Sequence, residues 1–480
     1  MFEEVLRGVW EPAGSVDSAT VRQWAVALAG MDQEVEGAEL INRIRALEEL
    51  KAAAAAAQAQ AAAVFDTARR RAQAEAGVPA GKQGKGIAAQ IALARRESPA
   101  RGRTALGLAK VLVSEMPHTL RALAAGELSE WRATLLARET ACLSAEDRRR
   151  VDEALAGDRE LLAGLGDQQL IGEARRIAYR LDPQAVVRRA RKAESERHVS
   201  CRPAPDTMTY VTGLLPVKQG VAVYAALSRE ADRLRAAGDD RGRGQIMADT
   251  LVERVTGKAA AGNARIEIQL VMTDRTLLQG DSEPAQLPGY GVVPAQWARD
   301  LVRTGMAGNG AATPPGAAER IWLRRLYTAP ESGRLVAMDS RARLLPEGLR
   351  RLVQVRDSTC RTPWCDAPIR HHDHVLAWEA GGATSEANGQ GLCEHCNQTK
   401  EATGWRAAPV PGPRHCVETI TPTGHRYYST ARRLPGTELP DRPPGRTAAG
   451  NSSGPPGPPE PPGPPRRCGP VDYRLPRTAA

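Results

Sequence analysis

The sequence predicts a mainly helical protein with a small α+β middle part, a C-terminal module of short strands and one helix, and a disordered tail rich in proline and glycine. Three observations lead to this prediction. Helical periodicity and alanine runs dominate the chain to about residue 205. β-Branched, partly alternating segments then appear at 207–215 and 265–273. Finally, four of the eight cysteines and four of the eight histidines lie within residues 359–400.

A chain of 480 residues is too long for one ordinary core, so several domains are expected. Changes in composition divide it into four predicted segments. They are a helical domain at 1–205, a small α/β region with the order β-α-α-β at 206–335, the cysteine-bearing module at 336–433, and the disordered tail at 434–480.

The first segment is predicted to contain one long helix, with Asp32 as its N-cap and Gly77 as its terminator. Its centre from Ala52 to Ala57 has the highest helix propensity available, but its apolar surface is thin, so it needs partner helices. These N-terminal helices are also a candidate homodimer surface. Shorter helices are predicted at 88–96, 105–115, 120–125, 129–141, 145–156, 167–181 and 183–197.

Within the second and third segments, helices and strands alternate more closely. The two predicted strands enclose helical runs at 219–237 and 241–258. Short helices are predicted near 294–303, at 349–356 and over the segment CEHCNQTKEA. After the cysteines, the pattern predicts short strands turned at Pro-Gly and Pro-Thr-Gly.

The charge balance favours a polyanionic partner. The formal net charge is +10 and the sequence pI is about 9.4, which suits nucleic acid or an anionic membrane surface. No run of about 18 apolar residues is present, so no membrane span is expected. The acidic N-terminus does not look like a signal peptide. A cytoplasmic protein is therefore expected, with association with the nucleoid left open, and its cysteines are better candidates for metal ligands than for disulfides.

Two cysteine pairs frame the third segment. Cys360 and Cys365 are separated by four residues, Cys393 and Cys396 by two, and 27 residues lie between the pairs. Two such pairs from distant parts of the chain can converge on a tetrahedral structural zinc site. The alternatives are four ordinary buried cysteines or a disulfide pair.

Several polar side chains between and beside the pairs suit phosphodiester hydrolysis. His374 can take a proton from water, because an imidazole titrates near neutral pH. Asp373 and Asn397 offer hard oxygen ligands for Mg²⁺, Mn²⁺ or a similar ion. Neighbouring residues of a flat strand point to opposite faces, so a site shared by Asp373 and His374 requires a twisted or bulged strand.

This stretch resembles the HNH (ββα-metal) endonucleases, which carry Asp-His on a first strand, Asn in the loop and Asn or His on the helix within a cysteine zinc frame. The resemblance implies that His374 is the general base and that Asp373 and Asn397 bind the catalytic divalent ion. It also implies that Asn388 braces the loop, and that the four cysteines hold structural zinc. One departure is His372, which stands where a small apolar residue is more usual and leaves open which histidine does what.

Upstream stretches extend the likeness. PHTLRALAAGELSEWRA at 117–133 and SRARLLPEGLRRLVQVRDSTCRTPWC at 340–365 resemble actinobacterial HNH proteins with a long domain of unknown function ahead of the nuclease. The implied function is metal-dependent hydrolysis of phosphodiester bonds in DNA, with RNA not distinguished from DNA. The alternative is a catalytically inactive, zinc-dependent nucleic-acid-binding protein. Candidate nucleic-acid contacts are His372, Lys400 and Arg406, whereas His395 and His415 are expected to be surface residues.

Overall fold

The computed structural model describes residues 16–257, 269–307 and 345–436, and ten α-helices make up the first of these ranges up to residue 195. The predicted fold class is confirmed: helices dominate, and the sheets are small. The ten helices are α1 (Ser18–Ala29), α2 (Gly37–Glu75), α3 (Ile87–Arg95), α4 (Pro99–Glu115), α5 (Pro117–Ala124), α6 (Glu130–Glu139), α7 (Ala145–Ala156), α8 (Arg159–Gly164), α9 (Asp167–Leu181) and α10 (Pro183–Ser195).

Most helix boundaries agree with the sequence prediction, and the differences have local causes. The long helix begins after Glu36 rather than at Asp32, because the Asp32 carboxylate accepts a hydrogen bond from the amide of Glu34 and forms a turn there. Helix α4 begins six residues early, where Ser98 caps the amide of Arg101 and Pro99 occupies the first helical position. Helices α1 and α8 were not predicted.

The helical core is built from leucines of α4 to α9 packed against the small side chains of α2. Ala52, Ala56 and Ala63 are the buried apolar residues of α2, so the alanine run allows close helix packing. Leu112 and Leu123 are completely buried against them. None of the helices in the described ranges is long and apolar enough to cross a membrane.

The middle part begins with an antiparallel hairpin. Strand β1 (His198–Pro203) pairs with β2 (Thr209–Leu214), so the predicted strand at 207–215 is confirmed, whereas β1 was not predicted. The hairpin straddles the predicted boundary between residues 205 and 206. The second predicted strand, 265–273, lies partly outside the described residues, and within its described part Val271 forms an isolated bridge to Gln286. The other elements are α11 (Val217–Ala236), α12 (Arg243–Thr256), β3 (Ala285–Leu287), β4 (Gly291–Val293) and α13 (Ala295–Ala307).

The C-terminal module contains a strand–strand–helix unit followed by a three-stranded sheet. After α14 (Glu347–Asp357), the elements are β5 (His371–His374), β6 (Gly389–Leu392), α15 (Glu394–Lys400), β7 (Arg406–Val410), β8 (Cys416–Ile420) and β9 (Arg426–Thr430). β5 and β6 are antiparallel, and β8 lies between β7 and β9. The two predicted turns after the cysteines are confirmed by the β7–β8 and β8–β9 connections.

The start of the predicted tail belongs to this module. Leu434 is 4% exposed and packs with Leu345, Leu349, Leu352 and Val353 around α14. Leu434 completes this apolar cluster, so it belongs to the module and not to the predicted disordered tail. The rest of the predicted tail lies outside the described residues.

Candidate active site and metal centre

The four cysteines converge. Their Sγ atoms all lie within 4.8 Å of one another, with Cys365 Sγ 3.7 Å from Cys393 Sγ and 3.6 Å from Cys396 Sγ. A tetrahedral zinc ion with Zn–S bonds of about 2.3 Å requires sulfur–sulfur edges of about 3.8 Å. All four are free thiols. The sulfur set therefore fits a four-coordinate zinc ion and could hold one.

A buried ionic network joins α14, which precedes the cysteines, to β6 and the residues just before it, which lie between the two cysteine pairs. The guanidinium of Arg356 donates to Asp357 at 2.8 Å and to the carbonyls of Glu386 at 2.7 Å and Gly389 at 2.6 Å. The carboxylate of Asp357 also accepts from the Gly391 amide at 2.8 Å. All of these charged side chains are at least 95% buried, so each needs the ion pairs and hydrogen bonds that the others supply. The sequence pattern did not reveal this network.

His374, the last residue of β5, is 6% exposed and oriented by a hydroxyl group. Its Nε2 lies 2.8 Å from Oγ1 of Thr384, and its Nδ1 lies 4.0 Å from Oδ1 of Asp373. Burial lowers the pKa of the imidazole below its usual value; the Asp373 carboxylate raises this pKa and the charge of Lys400 lowers it, both by smaller amounts than burial. The net shift favours the neutral ring, with one nitrogen held by Thr384 and the other near the Asp373 carboxylate. The strand brings the two predicted residues together despite their adjacent positions.

Asp373 already has a cationic partner. Its Oδ2 accepts a hydrogen bond from Nζ of Lys400 at 2.6 Å, and the same ammonium donates to the backbone carbonyl of His374 at 2.7 Å. The Lys400 side chain is only 13% exposed. The charge of Lys400 is thus paired inside the module, and its contact with nucleic acid stays a prediction.

Asn397 presents a buried acceptor without a partner. It lies on α15, three residues before Lys400, and its Oδ1 is buried without a hydrogen-bond partner in the described part of the chain. Buried side-chain oxygens are normally satisfied, so such an atom requires an explanation. Asn397 shares α15 with Lys400, which donates a hydrogen bond to Asp373. The carboxamide oxygen of Asn397 fits the donor set of a divalent ion.

Asn388 connects the loop after β5 to the start of β6. Its Oδ1 accepts from the Leu376 amide at 2.8 Å, while its Nδ2 donates to the carbonyls of Leu376 at 3.0 Å and Ala383 at 2.8 Å. A Cβ atom at Gly382 would lie 1.9 Å from the Leu376 carbonyl oxygen, so only glycine fits there. The loop that carries Thr384 is therefore tightly folded around the Asn388 side chain.

The remaining histidine and arginine candidates differ in accessibility. His372 is half-buried, and its Nε2 lies 3.2 Å from Oε1 of Gln354 on α14, so it points away from the Asp373 side of the strand. Burial lowers the pKa of His372. Arg406 is exposed. His395 is half-buried, and its Nε2 lacks a partner among the described residues.

The expectation that His415 lies on the surface is wrong. His415 is 9% exposed, and its Nε2 donates to the carbonyl of Ala387 at 3.1 Å. Burial, followed by the charge of Arg356, lowers its pKa to about 3. The strand pattern predicted a hairpin here but not that the hairpin end packs against the loop before β6.

Two further polar residues around His374 were missed. Thr384 is 1% exposed and binds its ring, and Gln390 donates from Nε2 to the His374 carbonyl at 3.2 Å. Gln390 lies opposite Asp373 in the β5–β6 register. That register, once known, would have identified Gln390. No spacing rule indicates Thr384, because its contact depends on how the loop folds.

The fold and the site together define the class. A strand–strand–helix unit with an Asp-His pair and a four-cysteine frame is that of HNH endonuclease domains, and the family model described as HNH endonuclease matches residues 360–403. A second model, described as domain of unknown function (DUF222), matches residues 44–320, more than half of the chain. The chain therefore belongs to the DUF222 family, with an HNH domain after the family's own domain. Comparison with curated proteins and with solved structures gave no match.

Proposed function

We propose that the chain is a divalent-metal-dependent endonuclease that hydrolyses phosphodiester bonds in DNA, with His374 as general base. One observation carries the proposal: a buried, neutral imidazole has one nitrogen held by Thr384 and the other beside Asp373. The orphaned oxygen of Asn397 on the adjacent helix supports the same reading.

The chemistry of the imidazole follows from its contacts. When Nε2–H donates to Thr384 Oγ1 at 2.8 Å, Nδ1 keeps its lone pair and can accept a proton from the attacking water. The lowered pKa of His374 keeps this lone pair free at neutral pH. The Asn388 contacts hold the loop, and through it Thr384, in place.

Asp373 and Asn397 are the residues that would hold Mg²⁺, Mn²⁺ or a similar ion, because both offer hard oxygen donors. Such an ion, when bound, stabilises negative charge on the phosphate and on the leaving oxygen. The four cysteines are proposed to bind a separate zinc ion with a purely structural role, since four protein ligands leave no open coordination position.

A nucleic-acid substrate is supported by the net charge of +10 and by the family model. The exposed residue Arg406 is the better remaining candidate for a phosphate contact, and His372 is the weaker one because Gln354 engages its ring. An enzyme acting on chromosomal DNA would work in the cytoplasm, near the nucleoid.

A homodimer through the N-terminal helices is proposed from apolar exposure. Trp24 and Val26 on α1 are 49% and 73% exposed, and Ile41 and Ile44 on α2 are each 62% exposed. Light scattering of the full chain should give twice the chain mass, and Trp24→Ala with Ile44→Ala should return it to the monomer mass. A monomeric wild type at micromolar concentration would refute the dimer.

The second candidate is a zinc-dependent nucleic-acid-binding protein without catalytic activity. Lys400 favours it, because its ammonium already neutralises Asp373 at the position proposed for the divalent ion. The two candidates differ in one measurable property, which is cleavage.

Cleavage of supercoiled plasmid with Mg²⁺ or Mn²⁺ tests the proposal. His374→Ala should reduce the rate at least about 100-fold, the usual range for removing a general base. His371→Ala is the matched control, because His371 is exposed on the same strand. If His374→Ala cuts as fast as wild type, the assignment of the base is wrong. Salt-dependent DNA binding without cleavage under any divalent ion would support the second candidate.

A further inference from the structure

The helical domain contacts the nuclease module directly, at the start of α3. Gly86 precedes α3 with a left-handed φ of 82°, and a Cβ atom there would lie 2.5 Å from Nε1 of Trp405. The same Cβ would lie 3.5 Å from Cβ of Ala402, which is 8% exposed. The indole ring that follows α15 therefore packs against bare backbone of the helical domain, and any side chain at Gly86 would displace it.

A second contact lies further along α3. Oγ1 of Thr423, in the β8–β9 turn, donates to Oε1 of Gln90 at 3.2 Å, and Gln90 is only 7% exposed. A mainly apolar crevice, lined in part by Trp405, also lies between α3 and the nuclease module. Its lining includes Ala89, Ala92 and Leu93 from α3, and Leu392, Cys396 and Thr399 from the nuclease module. One face of α3 thus faces the segments that carry the cysteines and α15.

Helix α3 is itself held firmly by the helical core. A Cβ atom at Gly102 on α4 would lie 2.5 Å from both the Ala88 carbonyl oxygen and the Ala92 Cβ, so the two helices are in backbone contact. Ala92 and Leu93 are 1% and 2% exposed. The surface offered to the nuclease module is consequently rigid.

Helix α15 needs such support because it has only seven residues. Isolated helices of that length are unstable, so tertiary contacts must hold both ends. The N-terminal end is held by Cys393 and Cys396. The C-terminal end is held by the Lys400–Asp373 ion pair and by the packing of Ala402 and Trp405 on Gly86.

We propose that the domain of unknown function is a scaffold that docks α3 on the nuclease module and thereby fixes the position of α15. Gly86, Gln90 and Trp405 are positioning residues in this scheme, and they act through Asn397 on α15. The docking stands on these contacts alone. Its consequence for cleavage rests on the proposed function, so the test includes a readout that does not depend on activity.

The test compares glycine variants of the full chain. Gly86→Ala places a methyl group against the Trp405 indole. Gly77→Ala is the matched control, because Gly77 has a similar φ of 76° and nothing within 4 Å of its would-be Cβ. The primary readout is amide hydrogen exchange over α15, with exchange over β6 as a check that the module itself stays folded.

We expect Gly86→Ala to accelerate exchange over α15 at least about tenfold, while Gly77→Ala leaves it unchanged and β6 stays protected in both. Trp405→Ala should have the same effect as Gly86→Ala. In the double variant the second substitution should add little, because residues in contact couple in a double-mutant cycle. Binding of Mn²⁺, followed by calorimetry, should weaken several-fold in Gly86→Ala.

Three outcomes would overturn the proposal. The first is equal exchange over α15 in Gly86→Ala and Gly77→Ala. The second is full additivity of Gly86→Ala and Trp405→Ala. The third is unchanged exchange in Trp405→Ala. Because Gly86 is more than 270 residues from the nearest cysteine of the module, an effect on α15 cannot come from local damage there. If the docking effects appear but plasmid is not cleaved by wild type, the scaffold stands and the nuclease assignment fails.

Discussion

Replacing Asn388 tests whether one side chain organises the loop between β5 and β6. Three hydrogen bonds, of 2.8, 3.0 and 2.8 Å, join its carboxamide to Leu376 and Ala383. Each such bond contributes about 1 kcal/mol net, and the side chain is 6% exposed, so the partners have little access to water. Asn388→Ala should therefore weaken the loop by about 3 kcal/mol.

The local effect is best measured by hydrogen exchange at single amides, because a long chain of several domains has no single unfolding free energy. The Leu376 amide donates to Asn388 Oδ1 and should exchange about 100-fold faster in Asn388→Ala, since each 1.4 kcal/mol changes a rate tenfold. The Val375 amide donates to the backbone carbonyl of Asn388 at 2.7 Å, a bond that the substitution keeps. Exchange of the Val375 amide should therefore change much less.

Two further variants sharpen the result. Asn388→Asp keeps the acceptor for Leu376 but places an oxygen against two carbonyl oxygens, so at pH 7 it should be at least as damaging as alanine. Asn42→Ala is the control, because Asn42 is exposed on a helix. The reasoning is refuted if Leu376 in Asn388→Ala exchanges within threefold of wild type.

Three other predictions concern pH, the zinc and the proposed site of the divalent ion. The pKa of His415 is lowered to about 3 in the folded chain, so between pH 6.5 and 3 the unfolded chain binds more protons. Stability should therefore fall as the pH drops below 6.5, by about 2 kcal/mol at pH 5. His415→Gln should remove that part of the pH dependence of the opening free energy measured by hydrogen exchange at the β8 amides, and equal pH slopes in both proteins would contradict the assignment. Metal analysis should find one zinc ion per chain. Cys365→Ser or a strong chelator should release this zinc and accelerate amide hydrogen exchange over α15. If α15 stays protected after the zinc is lost, the four-cysteine site is not needed to hold this helix. In a His374→Ala background, Lys400→Met should strengthen Mn²⁺ binding measured by calorimetry about tenfold, because a charge-assisted hydrogen bond to Asp373 no longer competes. A weaker affinity would mean that Lys400 positions Asp373 instead.

The local part of the site follows from the order of residues. The two cysteine pairs, the Asp373–His374 dipeptide, Asn388 and Asn397 are recognisable by type and spacing, because metal ligands and a helix or strand period leave short-range patterns. Helices such as α7 and α9 were likewise predicted at their observed bounds. Their caps and apolar periodicity lie within a dozen residues.

Other features depend on residues that are distant in the chain. Lys400 was a candidate nucleic-acid contact in the sequence, and only the packing of α15 on β5 reveals its ion pair with Asp373. The burial of His415 and the network around Arg356 depend on contacts between residues that lie 28 and 30 positions apart in the chain. Trp405 packs against Gly86, and no local sequence pattern links these two distant positions.

The sequence by itself therefore determined that the C-terminal module is an HNH domain, because particular side chains at short, fixed spacings mark that domain. The tertiary structure alone decided which of those side chains are buried and which are paired. Burial, pairing and the freedom of a ring nitrogen are properties of the surroundings that long-range packing creates. In this chain, long-range packing also creates the surface of the helical domain that contacts the nuclease module.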